Sequence, residues 1–151
     1  MALKAQIEAD LKAALLGGDR FKTEVLRGLK SAIQYQEVAE KKREEGLSDT
    51  GIEQLFAKEA KKRDESAELF ERGGNQEAAN KERAEKELIL QYLPKQLDEA
   101  EVRVVVEEAV AQTGATSMQD MGKVIGVVKS KVGNSADGAL IARIVKETIS
   151  K

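Results

Sequence analysis

The chain contains no cysteine, no histidine and no tryptophan, and among its 151 residues there is a single proline. Without cysteine it can form no disulfide, no thiolate metal site and no thiol nucleophile, a composition that fits a reducing compartment. The absence of histidine removes the commonest metal ligand and the side chain best placed for acid–base work near neutral pH. No apolar run approaches the roughly 18 residues of a membrane span. Met1-Ala2-Leu3-Lys4 opens directly into an amphipathic pattern and not into a signal peptide, so the chain is read as cytoplasmic, with no membrane, metal or cofactor expected. With three Phe and two Tyr, the core falls to Leu, Ile, Val and Ala. An Ala/Glu/Lys-rich chain of this kind favours an all-α fold.

The one proline divides the sequence. It lies in Tyr92-Leu93-Pro94-Lys95-Gln96-Leu97. A proline lacks the N–H of a helix interior and pushes the preceding residue toward extended geometry, so Leu93 and Pro94 are expected to form a hinge. Asp98-Glu99-Ala100-Glu101 then supplies a cap and a glutamate three residues on, ahead of a new apolar-periodic run. Two domains are expected, a helical one over 1–94 with a long hairpin, and a three-helix bundle over 95–151.

In the first domain Leu3, Ile7, Leu11 and Leu15 recur every four residues, up to Gly17-Gly18. Asp19 is placed to cap a second helix whose stripe is Phe21, Val25, Leu26, Leu29, Ile33 and Gln36 to Val38, continuing into Lys41-Lys42-Arg43-Glu44-Glu45. After a polar break, Ser48 or Thr50 can cap a third helix, Thr50-Gly51-Ile52-Glu53 also fitting the capping box. Its face is Ile52, Leu55, Phe56, Ala60, Ala67 and Phe70. Gly73-Gly74 ends it, and Asn75 caps a fourth that returns as an antiparallel arm. The charged stretch from Lys58 to Lys86 reads as a solvated hairpin laced by i, i+4 ion pairs, ahead of an RNA-binding arm.

In the second domain Val102, Val105, Val106, Ala109 and Val110 precede Gly114. Ser117 is the expected cap of a helix with Met118, Met121, Val124, Ile125, Val128 and Val132 inward. Gly133-Asn134-Ser135 turns, and Ser135 or Asp137 caps a last helix on Leu140, Ile141, Ile144, Val145 and Ile149. The formal net charge is −2, yet from Ser117 to the end six bases (Lys123, Lys129, Lys131, Arg143, Lys146 and Lys151) face three acids. The net charge argues against indiscriminate polyanion binding, but an average can conceal a dipolar layout, and here the basic surplus sits at the C-terminal end.

Gly122 and Gly126 flank Lys123 four residues apart on a helix. Close helix packing is the expected reason, and access of a phosphate to bare backbone the alternative. Asp137, before Gly138, reads as a cap ahead of a ligand contact. Arg27, beside the apolar stripe, reads as a snorkelling side chain closing a salt bridge. Nothing matches a phosphate-cradling loop before Lys-Ser/Thr. Carboxylate pairs such as Glu44-Glu45 nominate no catalytic dyad in a chain that is 34% charged.

Tyr92-Leu93-Pro94-Lys95-Gln96-Leu97 with its acidic cap, Asp120-Met121-Gly122-Lys123-Val124, and Ala136-Asp137-Gly138 resemble the GatB/YqeY tail domain, which ends the B subunit of the aspartyl/glutamyl-tRNA amidotransferase. Leu11-Lys12-Ala13-Ala14, Leu26 to Ile33 and Lys61 to Ala67 are similar to free-standing YqeY-like proteins, so the resemblance covers nearly the whole chain. It implies a helical amino-terminal domain joined to a three-helix tail, and a tRNA-linked accessory or binding role. Gly122, Lys123, Gly126, Lys129, Lys131, Asp137, Gly138, Arg143 and Lys146 are then the candidate RNA contacts, with tRNA or a larger translation-related enzyme as partner, the latter through an adaptor role. The resemblance also brings a family-level term, carbon–nitrogen ligase with glutamine as amide donor. The residues themselves offer neither the nucleophile nor the acyl-phosphorylating motif that amide transfer needs, and no catalytic residue is nominated.

Overall fold

A computed structural model describes residues 2–150, all-α among those residues. Met1 and Lys151, placed by the sequence at the amphipathic opening and among the tail bases, lie outside them. The contacts divide the chain into two compact units, Met1–Leu93 and Pro94–Lys151.

The first unit holds α1 (Ala2–Gly17), α2 (Arg20–Ala39), α3 (Asp49–Arg72) and α4 (Gln76–Leu90). In α1 the inward residues are Ile7 and Ala14, whereas Leu15 is 49% exposed. A strict four-residue step turns about 40° too far each time on a helix of 3.6 residues per turn, so three steps from Leu3 carry Leu15 off the core face. Asp19 Oδ1 caps α2 by accepting the Lys22 N–H at 3.0 Å. Thr23, Leu26, Leu29, Ile33 and Glu37 form its buried face.

Three expectations for α2 fail. Phe21 is 36% and Val38 54% exposed, and the helix stops at Ala39 instead of running on into 41–45. Lys41 takes a left-handed φ of 59°, and the Lys42 N–H returns to the Glu37 carbonyl at 2.7 Å. That is the 6→1 bond of a Schellman turn, built with a lysine where glycine is usual. The chain then doubles back so that the Leu47 N–H reaches the Glu37 carboxylate at 2.9 Å.

Ser48, not Thr50, caps α3, its Oγ accepting the Gly51 N–H at 3.1 Å. Asn75 caps α4 through the Ala78 N–H at 3.1 Å. The core joins Ile7, Leu26, Leu29, Ile33, Leu47, Ile52, Phe56 and Ile89. Phe56 meets Tyr92 edge-on with ring centroids 6.1 Å apart, and the Tyr92 hydroxyl donates to Asp10 at 2.6 Å. Burial and that hydrogen bond both push the phenol pKa upward. Helices α3 and α4 pair as an antiparallel hairpin, with Ala67 and Ala79 fully buried and every residue of 68–77 exposed. Phe70, expected inward, is 39% exposed there.

The second unit holds α5 (Glu99–Thr113), α6 (Met121–Val132) and α7 (Gly138–Ile149), with 3₁₀ turns at Met118–Asp120 and Gly133–Ser135. Asp98 Oδ1 caps α5 by accepting the Glu101 N–H at 2.8 Å, and Gly114, at φ 68°, closes it. The core is Val102, Val106, Ala109, Val124, Val128, Val132, Ile141, Ile144 and Val145. β-Branched residues are poor helix formers, so these three short helices rest on mutual packing. Ser117 makes no capping hydrogen bond, and Met118 is 45% exposed in the 3₁₀ turn. The reason is Asp120, which accepts the Thr116 N–H at 3.1 Å and tightens the entry, so that α6 proper starts at Met121.

Candidate functional site

The buried positions of α6, Val124, Val128 and Val132, recur every four residues and fix which face points outward. That outer face carries Gly122, Gly126 and Ser130 in a row, with Lys123 on one side and Lys129 on the other, all exposed. A Cβ at Gly122 or Gly126 would meet nothing within 4 Å. Close helix packing therefore does not explain these glycines. The expected reason is corrected, and bare solvent-facing backbone remains.

Lys131 on α6 and Lys146 on α7 are exposed as well. None of Lys123, Lys129, Lys131 and Lys146 forms an ion pair among the described residues. Lys129 reaches to the start of α7, where its Nζ would lie 3.7 Å from a Cβ at Gly138. An ammonium at the positive end of a helix dipole gains nothing from that dipole.

Asp137 occupies the N-cap position of α7 in extended backbone, and its carbonyl accepts the Ile141 N–H at 3.0 Å. Its side chain makes no capping hydrogen bond, contrary to the expected cap role.

Arg143 differs from the lysines. Its guanidinium lies 3.2 Å from Glu99 and 3.1 Å from Glu147, and Arg103 meets the same two carboxylates at 3.3 and 2.9 Å. The hydrogen bond from Arg143 and its charge hold Glu99 below the usual carboxylate range, and Arg103 and Arg143 do the same for Glu147. This four-member network ties the start of α5 to the end of α7. The sequence signalled it only as two i, i+4 pairs, Glu99 with Arg103 and Arg143 with Glu147. Arg143 thus has its charge met, while the four lysines have no ion-pair partner among the described residues.

In the first unit, Arg27 is exposed with no ion pair among the described residues, so the expected salt bridge is absent. A cavity of about 470 Å³ between α1 and α2 is lined by Lys4, Glu8, Lys30, Gln34, Glu37 and Arg43. Its charges largely meet one another, Lys4 with Glu37 at 3.0 Å and Lys30 with Glu8 at 3.8 Å. The hairpin charges pair chiefly between helices: Arg63 with Glu85 at 2.9 Å, Lys86 with Asp64 at 3.2 Å, and Arg83 with Glu71. Among the described residues no cluster of three His, Cys, Asp or Glu could hold a metal, and no helix is long and apolar enough to cross a membrane.

The family model for Yqey-like protein matches residues 4–149. The chain belongs to the YqeY-like family. No match is found among the curated proteins. In this YqeY-like chain the quoted segments fall at the boundaries of elements: Tyr92 to Leu97 between α4 and α5, Asp120 to Val124 at the start of α6, and Ala136 to Gly138 at the start of α7. The YqeY-like tail thus brings Gly122, Lys123, Gly126 and Lys129 onto one helix, sets Gly138 beside Lys129, and leaves Arg143 in its ion-pair network.

Proposed function

We propose that this YqeY-like protein is a tRNA-linked accessory protein whose tail grips RNA phosphates. The observation that carries the reading is the set of four exposed lysines that form no ion pair among the described residues, Lys123, Lys129, Lys131 and Lys146, beside the open backbone of Gly122 and Gly126. Glycine within a helix costs roughly 1 kcal/mol relative to alanine, and neither glycine recovers that cost by packing. A phosphate oxygen approaching the bare helix between Lys123 and Lys129 would give both the glycines and the lysines a role. A phosphate near Gly138 would also relieve the crowding of like charge between Lys129 and the start of α7. Arg143, already held by two carboxylates, is the least suited of the candidate cations.

Neutralising about four phosphates gives a slope of roughly −3 in log K against log salt, or about a hundredfold loss between roughly 50 and 200 mM. A gel-shift titration with total tRNA measures this. Lys123→Glu/Lys129→Glu is expected to weaken binding at least tenfold, and Arg143→Gln far less. No shift at low salt, a binding constant indifferent to salt, or unchanged binding by the lysine variant refutes the reading. The alternative, an adaptor docking on a larger translation-related enzyme, is favoured by Leu69 and Phe70, exposed at the hairpin tip. A stoichiometric complex with such an enzyme, lost with Leu69→Asp, distinguishes it. Amide transfer is left out, because a chain without cysteine or histidine offers no evident activated nucleophile; ammonia release from glutamine by the pure protein would restore it.

A further inference from the structure

We propose that the base of the α3–α4 hairpin is an acid-operated clamp: a proton taken up by the neighbouring carboxyls of Glu82 and Glu85 draws the two arms together, and its release as the pH rises loosens them. Three carboxylates crowd one guanidinium there. Glu85 Oε2 lies 2.9 Å and Glu82 Oε2 3.9 Å from Arg63 Nε, and Glu59 Oε2 lies 3.8 Å from Arg63 Nη2. The side chains of Glu59, Glu82 and Glu85 are 15%, 20% and 16% exposed, so solvent screens their mutual repulsion poorly. The Arg63 Nε–H is out of line with Glu85 despite the short distance. That nitrogen and Glu82 Oε2 are both buried without a hydrogen-bond partner among the described residues.

The surroundings do not complete the balance. From α3, Lys62 reaches Glu59 at 3.4 Å, but its own side chain is 66% exposed. From α4, Lys86 is taken by Asp64 at 3.2 Å, and Lys81 is exposed and attracts Glu85 without pairing with it. From α2, Glu24 adds a further negative charge, and Arg20 and Arg27, one turn to either side of it, form no ion pair among the described residues. Burial, Glu82 and Glu24 together outweigh Arg63 and Lys81 and push the Glu85 carboxyl above its ordinary value of 4.5. A carboxyl that holds its proton more tightly in the closed hairpin than in an open one supports closure in acid, and that support is lost as the pH rises through the raised value. The sign is opposite to that of Glu37, Glu99 and Glu147, whose lowered carboxyls support the fold until acid protonates them. Protonation also turns one of two repelled acceptors into a donor. Toward the tip little else holds the arms, since Ala67 and Ala79 bury only methyl groups and every residue of 68–77 is exposed. The charge balance at the base therefore decides how often the arms part. The clamp lies in the first unit and uses none of the tail lysines, so it stands or falls apart from the RNA reading.

Amide hydrogen exchange on the full chain at roughly pH 5 and roughly pH 8, corrected for the intrinsic pH dependence of exchange, is the test. Over that range Glu37, Glu99 and Glu147 stay ionised, so their opposite effect does not enter. Protection of the amides of 64–84 is expected to be severalfold greater at the lower pH, with no such change in α1 or α7. Glu82→Gln removes one charge and sets a donor amide beside Glu85. It is expected to raise hairpin protection at the higher pH to near the acid level and to flatten the pH dependence. Glu24→Gln, across on α2, is expected to do the same in smaller measure, and it carries the comparison should Glu82→Gln lose its helical circular dichroism. Wild-type protection that is equal at the two pH values, greater at the higher one, or changed as much in α1 as in the hairpin overturns the proposal. So does a folded Glu82→Gln variant whose hairpin protection at the higher pH is unchanged or lower, since its carboxylate is then no source of repulsion.

Discussion

At Gly122 and Gly126 the absence of a neighbour is itself informative. Both sit inside a helix, with open space where a Cβ would go. Gly122→Ala and Gly126→Ala are each expected to stabilise the protein by about 0.5–1 kcal/mol, raising the thermal midpoint, while weakening tRNA binding. A loss of stability in thermal melts would mean that the backbone there is not as open as described. Glu37 behaves in the opposite way. Burial pushes its carboxyl up, but the hydrogen bond from Lys4 and the Leu47 N–H outweigh this and hold it below its ordinary value of 4.5. A carboxylate held low stabilises the fold at pH above the unfolded value, and that contribution fades as pH falls through the lowered one. Glu37→Ala should cost about 2 kcal/mol in urea unfolding near neutral pH, because it strands the Leu47 N–H and Lys4. The gap between variant and wild type should narrow below pH 4.5.

Among the elements, the hairpin rests on very little. Ala67 and Ala79 are its fully buried residues beyond the body of the first unit. Ala79→Leu is expected to force the helices apart and cost about 1–3 kcal/mol, read as a lower urea midpoint, whereas Lys81→Ala on the exposed side should change it little. Much at this scale was legible in the sequence. Asp19, Ser48 and Asp98 each stand before an apolar-periodic run and Asn75 follows Gly73-Gly74, and each of the four accepts the N–H of the residue three further on. The end of α2 was not legible, because a lysine in left-handed backbone carries no sequence signature; the 6→1 bond and the Glu37–Leu47 contact that hold it join residues five and ten apart. Leu15 misled because a four-residue repeat resembles a stripe over two turns and departs from it over four. Of the candidate site, the lysines and glycines of α6 were legible by spacing. The capture of Arg143 was not, since Glu99 lies 44 positions away in the chain.

For the whole molecule, the two hydrophobic clusters draw on different residues, one ending at Leu93 and the other beginning at Leu97. A peptide of residues 94–151 is therefore expected to fold alone, with helical circular dichroism and a cooperative melt; a featureless melt would mean that its valine core needs the rest of the chain.

The methyl-sized seam between α3 and α4 has a consequence of another kind. Large interlocking side chains would fix where one arm must sit against the other, whereas alanine against alanine sets only how near they run. Inserting about seven residues into each arm, two helical turns apiece, would return the same faces to the seam. The reach of the tip is thus a variable that can change in steps while the globular body keeps its packing.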